Sequence, residues 1–249
     1  MASLGASGKS GNNEDSSNNI DIRKQLFNDG AVGPIKLVQL PEDQITSLLG
    51  IMFDIDPKLF RSTAVSHDYS SRPIAFYNDV VRHWLDRHSV LAKAQVIGSG
   101  TGLHPILRFN KPVQFKTVGD RQRWAGIVRV VQRVLPVDAD VPGITAVTRK
   151  IGSINSKNGK PVRLVAKGQQ VTVDEVLKLF EEMRSRPFQT VARILFGSEH
   201  MSPCPICEGP DSQLSALDWQ GRCYGRCGKI SLTKLFDHFL LPRTTNKGS

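Results

Sequence analysis

The sequence predicts an α+β domain followed by a small zinc-ribbon-like module. Three observations carry this: a glycine-rich turn between two apolar runs, an amphipathic helical pattern on either side of it, and four cysteines confined to one C-terminal stretch. Val90 to Ile97 leads into Ser99-Gly100-Thr101-Gly102-Leu103-His104, and Ile106 to Phe109 leads out. That is the pattern of a β-hairpin with a histidine at its mouth. Before the hairpin, Phe76, Val80, Trp84 and Leu85 recur at helical spacing; after it, Trp124, Ile127, Val128, Val131 and Leu135 do the same.

Taken in order, Met1 to Asn19 is rich in Ser, Gly and Asn and has no apolar run, so residues 1–19 read as a disordered tail and not as a signal peptide. A short helix is expected over Ile22 to Phe27. Residues Gln39 to Phe53 are ambiguous: Pro41-Glu42-Asp43-Gln44 is a helix start, yet Leu48 to Asp56 suits a buried strand. On a strand, the period of two places Asp54 and Asp56 on one face, poised to share a cation; at a helix C-terminus they would point apart. Phe76 to Arg87 is expected as a helix. Asn110-Lys111-Pro112 is read as a turn, followed by a helix starting at Asp120, with Arg121, Arg123, Arg129 and Arg133 on its solvated side.

Pro161 to Ala166 reads as a further strand, ending a domain of residues 20–168. Thr172 with Glu175 forms a capping box for a helix to about Met183, stopped by Arg184-Ser185-Arg186-Pro187. Val191 to Phe196 is a second short helix, making 169–197 a helical linker. The module of residues 198–249 closes with an amphipathic helix, Leu232 to Leu241, whose apolar side is Leu232, Leu235, Phe236 and Phe239.

Lys and Arg outnumber Asp and Glu by 33 to 23, a net charge of +10 that favours a polyanionic partner such as nucleic acid or nucleotide. No apolar run has the length of a bilayer span, so no membrane partner is expected and the localisation is read as cytoplasmic. Cys204-Pro205-Ile206-Cys207 and Cys223-Tyr224-Gly225-Arg226-Cys227 form two close pairs, each able to offer two thiolates to one tetrahedral Zn²⁺. Asp218-Trp219-Gln220-Gly221 suits a hairpin between them. Arg222, Tyr224, Arg226 and Lys229 surround the second pair, either as nucleic-acid contacts or as the surface of a purely structural unit.

Two further stretches carry chemistry. Asp138-Ala139-Asp140 offers a third acid, and Arg149-Lys150-Ile151-Gly152-Ser153-Ile154-Asn155-Ser156-Lys157 gathers cations with small donors, either suited to phosphate or forming a basic surface turn between strands. The order Asp54-x-Asp56, Ser99-Gly100-x-Gly102-x-His104, Asp138-x-x-Val141 and Gly152-Ser153-x-Asn155-x-Lys157 resembles the archaeo-eukaryotic primase superfamily, over about Gly50 to Val165. The resemblance implies an RRM-like primase-polymerase catalytic domain with a zinc module after it. It implies that Asp54, Asp56 and Asp138 hold catalytic Mg²⁺ or Mn²⁺, with Asp140 as the alternative to Asp138, and that His104 meets the phosphates of the incoming nucleotide. Ser99, Gly100, Gly102, Arg149, Asn155 and Lys157 would seat the triphosphate or template. Two carboxylate-bridged ions suit such a reaction because they activate a 3′-oxygen and stabilise leaving pyrophosphate. The partners implied are single-stranded DNA and NTP or dNTP. A replicative helicase is a further expected partner, because the sequence has no Gly-x-x-x-x-Gly-Lys-Ser/Thr loop of its own. The alternative is a non-catalytic nucleic-acid-binding replication protein built on the same fold.

Overall fold

A computed structural model describes residues 40–61, 69, 72–138 and 140–240, and the backbone of strand β1 (Val32–Ile35). The expected tail 1–19 and the helix at 22–27 lie outside the described residues. The ambiguous stretch resolves into both of its readings in succession, a single 3₁₀ turn at Glu42–Gln44 and then strand β2 (Ser47–Met52).

β2 belongs to a sheet with β3 (Gln95–Gly98), β4 (Leu103–Gln114) and β6 (Arg163–Ala166), in the order β2-β4-β3-β6. Every neighbouring pair in that path is antiparallel. β2 and β3 therefore run parallel with β4 between them, a split βαβ unit joined by the helix over residues 73–86. β7 (Gln170–Val171) adds a short parallel pairing to β4 at Arg108 and Phe109, and β5 (Ser153–Asn155) pairs parallel with β1.

The turn expected at Asn110-Lys111-Pro112 is not a turn. β4 runs through it to Gln114, because β2 pairs with it on both sides, Leu48 with Val113 and Gly50 with Arg108, and the register shift between those pairs absorbs the extra residues of β4 as a bulge. A bulge tolerates Pro112, which has no N–H to give a ladder.

α1 is one helix in three parts, α-helical at Pro73–Phe76, π-helical at Tyr77–Val81 and α-helical at Arg82–Asp86. The wider π step moves the apolar stripe by one residue, so Val81 is fully buried beside Phe76, Trp84 and Leu85, and Val80 is only partly covered. α2 (Val118–Gln132) begins two residues before the expected Asp120, because Thr117 caps it. Asp120 is instead the third helical residue; its carboxylate accepts from the Thr117 and Lys116 amides at 2.9 and 3.0 Å, which holds its pKa below the usual range. Trp124, Ile127, Val128, Val131 and Leu135 are all buried, and Trp124 meets Phe109 of β4 edge-on at 5.8 Å.

The Thr172–Glu175 capping box starts α3 (Val173–Ser185). α4 (Pro187–Phe196) begins four residues ahead of the expected Val191, with Pro187 in its first turn and Gly197 closing it in the left-handed region. Strands β8 (His200–Met201), β9 (Leu214–Ala216), β10 (Gly221–Cys223) and β11 (Gly228–Ile230) form an antiparallel sheet in the order β11-β10-β9-β8, followed by α5 (Leu232–Phe239). The buried residues of both sheets form one continuous cluster from Leu48 to Phe239. At its seam Phe239 meets Trp84 edge-on at 6.1 Å, Phe60 bridges Leu240, and Arg61 donates from its amide to Phe239 and from Nε to Leu240, each at 2.8 Å. Arg87, just past the end of α1, caps the carbonyl end of α4, with Nη1 donating to the carbonyls of Ile194 and Leu195. No helix among the described residues is long and apolar enough to cross a membrane.

Because Phe239 fills the seam against Trp84 and Phe196, Phe239→Ala is expected to destabilise the fold by about 3–5 kcal/mol. Urea unfolding checks this, as a lowered midpoint of the main transition.

Candidate functional site

The site begins where β2 runs on past its last laddered residue. The Phe53 amide donates to Pro105, and Ile55 and Leu103 exchange amide–carbonyl bonds, all at 2.9 Å. The chain is thus extended to Ile55, and the period of two turns Phe53 and Ile55 wholly into the core while Asp54 and Asp56 face the other way. Asp56 then caps the 3₁₀ turn Pro57–Leu59, accepting from the Lys58 amide at 3.2 Å and pairing with the Lys58 ammonium at 2.9 Å.

His104 is not at the mouth of the hairpin. Residues 99–102 form the turn, and His104 is the second residue of β4, opposite Ile97 and only 9% exposed. The pairing that buries Leu103 in the core puts His104 on the face of Asp54, with Nε2 3.7 Å from Oδ1. Its Nδ1 lies 3.0 Å from the hydroxyl of Thr148, a residue that no sequence pattern had marked. Burial, with the Arg149 guanidinium nearby, pushes the imidazole down to about 4. It is therefore neutral at pH 7, and its approach to Asp54 is a polar contact and not an ion pair.

Asp138 reaches the same place from the loop after α2, its amide donating to the Asp54 carbonyl at 3.1 Å. Burial raises the Asp54 carboxyl to about 6, and the charges of Asp138 and Asp56 add to this, while Lys157 and Lys58 oppose it. Asp138 Oδ1 also accepts from the amide of Asp140, whose own side chain is exposed. Lys58 is raised above its usual range, first by its bond to Asp56 and also by Asp138 and Asp54. Three carboxylates thus share one patch. Among the described residues only the four cysteines bring one ligand atom each within 4.8 Å of one another, so the acids form an open cluster and not a closed cage.

The glycine turn is braced by the segment around β5. Ser99 donates from its amide and hydroxyl to Gly102, and Asn155 Nδ2 donates to the Ser99 carbonyl at 2.5 Å. Asn155 Oδ1 accepts from the Lys157 amide, so both ends of this buried amide are engaged in holding the turn and the 156–160 loop together. Gly100 has φ +107°, and a Cβ there would fall 2.9 Å from Asn158 Oδ1; a Cβ at Gly102 would stand 3.8 Å from Asp54 Oδ1. Arg149 is 8% exposed beside His104. Four segments distant in sequence therefore converge: 54–58, 99–104, 138 and 148–157. Hard oxygen donors lie among Lys58, Arg149 and Lys157, a mixture suited to a divalent cation together with an anionic phosphate.

The four thiols form a second centre. Cys207 Sγ and Cys223 Sγ are 3.7 Å apart, too far for a disulfide and close to the edge of about 3.8 Å that four Zn–S bonds of 2.3 Å give a tetrahedron. Burial and the neighbouring sulfurs push Cys227 up to about 12, whereas a bond from Ser212 and amides of Gly209 and Arg226 draw Cys207 down to about 5. Four sulfurs at this spacing fit Zn²⁺, which would hold them as thiolates.

No family model matches the chain, and no curated protein does. Among solved structures, the AEP domain of the cyanophage S-2L primase-polymerase is similar, with a TM-score of 0.38 and 16% identity over 56% of this chain. The chain spans 64% of that structure.

Asp54 holds a charge at a cost above pH 6. The rise from 3.8 to about 6 sets a ceiling near 3 kcal/mol; with 36% of the side chain exposed, screening reduces this to about 1–2 kcal/mol. Asp54→Asn is expected to raise Tm at pH 7 without added divalent ion, with the gain appearing as pH climbs from 4 through 6 and absent below 4; thermal melts across pH check this. Titration calorimetry with Mn²⁺ should show binding that weakens as pH falls through 6 and Asp54 takes up its proton. Cys204→Ser is expected to lower bound zinc below one ion per chain, read by metal analysis.

Proposed function

We propose that this chain is a template-dependent nucleotidyltransferase of the primase-polymerase kind, which synthesises or extends primers on single-stranded DNA. One observation carries the reading: Asp54, Asp138, His104, Arg149 and Lys157, drawn from separate segments, meet around one patch, where burial first and then the charges of Asp138 and Asp56 raise Asp54 to about 6. Mutual repulsion of this kind is what a divalent cation relieves, so the residues fit Mg²⁺ or Mn²⁺.

Asp54, Asp56 and Asp138 would hold the ions. When bound, these supply activation of the primer 3′-oxygen and charge stabilisation of the leaving pyrophosphate. The chain's own groups do the rest. Arg149 and Lys157 offer positive charge to the triphosphate as negative charge grows on the oxygens between its phosphates. Neutral His104, in the tautomer whose Nδ1 accepts from the Thr148 hydroxyl 3.0 Å away, would present an N–H at Nε2 to the nucleotide without adding a charge. Gly102 keeps side-chain bulk away from Asp54, Gly100 lets the turn pass close to Asn158, and Ser99 with Asn155 fixes the turn that carries them. Unwinding would fall to a separate helicase. The second reading, a non-catalytic DNA-binding replication protein, draws on the Lys58 ammonium, which already pairs with Asp56 at 2.9 Å.

Incorporation of labelled NTP or dNTP on single-stranded DNA, with and without an annealed primer, separates the two. Metal-dependent product that falls at least 100-fold in the Asp54→Asn, Asp56→Asn protein supports catalysis, and unprimed product identifies a primase. A wild-type protein that binds the template yet incorporates nothing with Mg²⁺ or Mn²⁺ selects the binding protein.

A further inference from the structure

The outer face of the four-stranded β8–β11 sheet carries residues that neither the fold nor the catalytic patch uses. Its inner positions, Leu214, Ala216, Cys223 and Ile230, are buried in the core. Its outer positions run across the strands in register, His200 beside Ser215, Ser215 beside Arg222, and Arg222 beside Lys229. Arg222 and Lys229 are like charges placed directly opposite, an arrangement that weakens a strand pair. Among the described residues no carboxylate forms a salt bridge with either, nor with exposed Arg226 in the adjoining knuckle.

Aromatic rings flank these cations. Trp219 in the β9–β10 turn and Tyr224 after β10 are 66% and 63% exposed, the most exposed large apolar side chains among the described residues, and Leu217 beside Trp219 is 45% exposed. The chain's other two tryptophans, Trp84 and Trp124, are buried. The Arg222 guanidinium stands 5.5 Å over the Tyr224 ring, leaving a planar cation and an aromatic side by side at the surface. Four residues separate Trp219 from Tyr224, so the two rings are carried by backbone at most about 17 Å apart. A surface that leaves two large rings in water and retains repelling cations between them is matched to a polyanion with flat apolar groups.

We propose that this face binds single-stranded nucleic acid, with Trp219 and Tyr224 stacking on bases and Arg222, Arg226 and Lys229 meeting phosphates. Asp218 lies in the same turn and sets a short-range repulsion at the Trp219 end, so the phosphate track runs on the Arg222–Lys229 side. This contact stands on the small sheet's own residues and is separate from the acids of the catalytic patch.

The test uses the zinc-loaded full chain and a (dT)20 oligonucleotide. Because Trp219 is the exposed tryptophan, the oligonucleotide should quench its emission, and Trp219→Phe should abolish most of that change. By fluorescence anisotropy, Trp219→Ala combined with Tyr224→Ala should weaken binding at least fivefold per ring, and Arg222→Ala should reduce the slope of log K against log salt by about 0.7. Zinc content and Tm of each variant should match the wild type. Emission unchanged at saturating (dT)20, or full affinity in the double variant, overturns the proposal and returns this face to a protein partner. Asp54→Asn, Asp56→Asn serves as the second arm: it should leave the tryptophan quenching intact, so failure of the catalytic reading and failure of this one are told apart.

Discussion

The pairing of β4 with the run-on of β2 is the constraint on which the rest depends. Amide–carbonyl bonds at Phe53–Pro105 and Ile55–Leu103 fix the register over only a few residues, yet they sort every side chain there. Phe53, Ile55, Leu103 and Leu107 become core, and Asp54 and His104 become neighbours on the opposite face. A slip of one residue would bury the carboxylates and put two core side chains in water, a reversal no nearby contact would offset. The same strand sets the exit of the chain, through the turn at Pro57–Leu59 into Phe60 and Arg61.

Those two residues tie the acidic patch to the cysteine module. Phe60 bridges Leu240 and Arg61 holds the last carbonyls of α5, so the end of the C-terminal helix is fixed four residues from Asp56. Folding energy from a metal held by the cysteines would therefore reach the strand that bears Asp54 and Asp56 through a short, well-bonded path. The two side-chain arrangements differ in kind. The cysteines form a tight set suited to a closed structural site, while the carboxylates form an open set whose repulsion Lys58 and Lys157 offset only in part.

Much of this was readable from pattern. The capping box at Thr172, the apolar stripe of α2, the hairpin and the paired cysteines are local in sequence, and each met the expected element. Two departures came from context that pattern cannot carry. The tripeptide Asn110-Lys111-Pro112 has turn chemistry, but β2 was long enough to pair on both sides of it through a bulge. The π step of α1 shifted burial from Val80 to Val81 because packing against Phe76 and Trp84 outweighed regular α spacing.

The sequence by itself determined which residue types were present and their local periodicity: an acidic pair two apart, glycines around a turn, four cysteines in two knuckles, and an excess of positive charge. These follow from steric and hydrogen-bonding rules that act over a few residues. Tertiary structure alone decided that His104 is buried and neutral, that Asp138 and not exposed Asp140 neighbours Asp54, and that Thr148 belongs beside the imidazole. It also decided that Asn155 braces Ser99, 56 residues away in sequence. Each of these depends on the register between segments tens of residues apart, and on the desolvation that register produces, neither of which a local pattern contains.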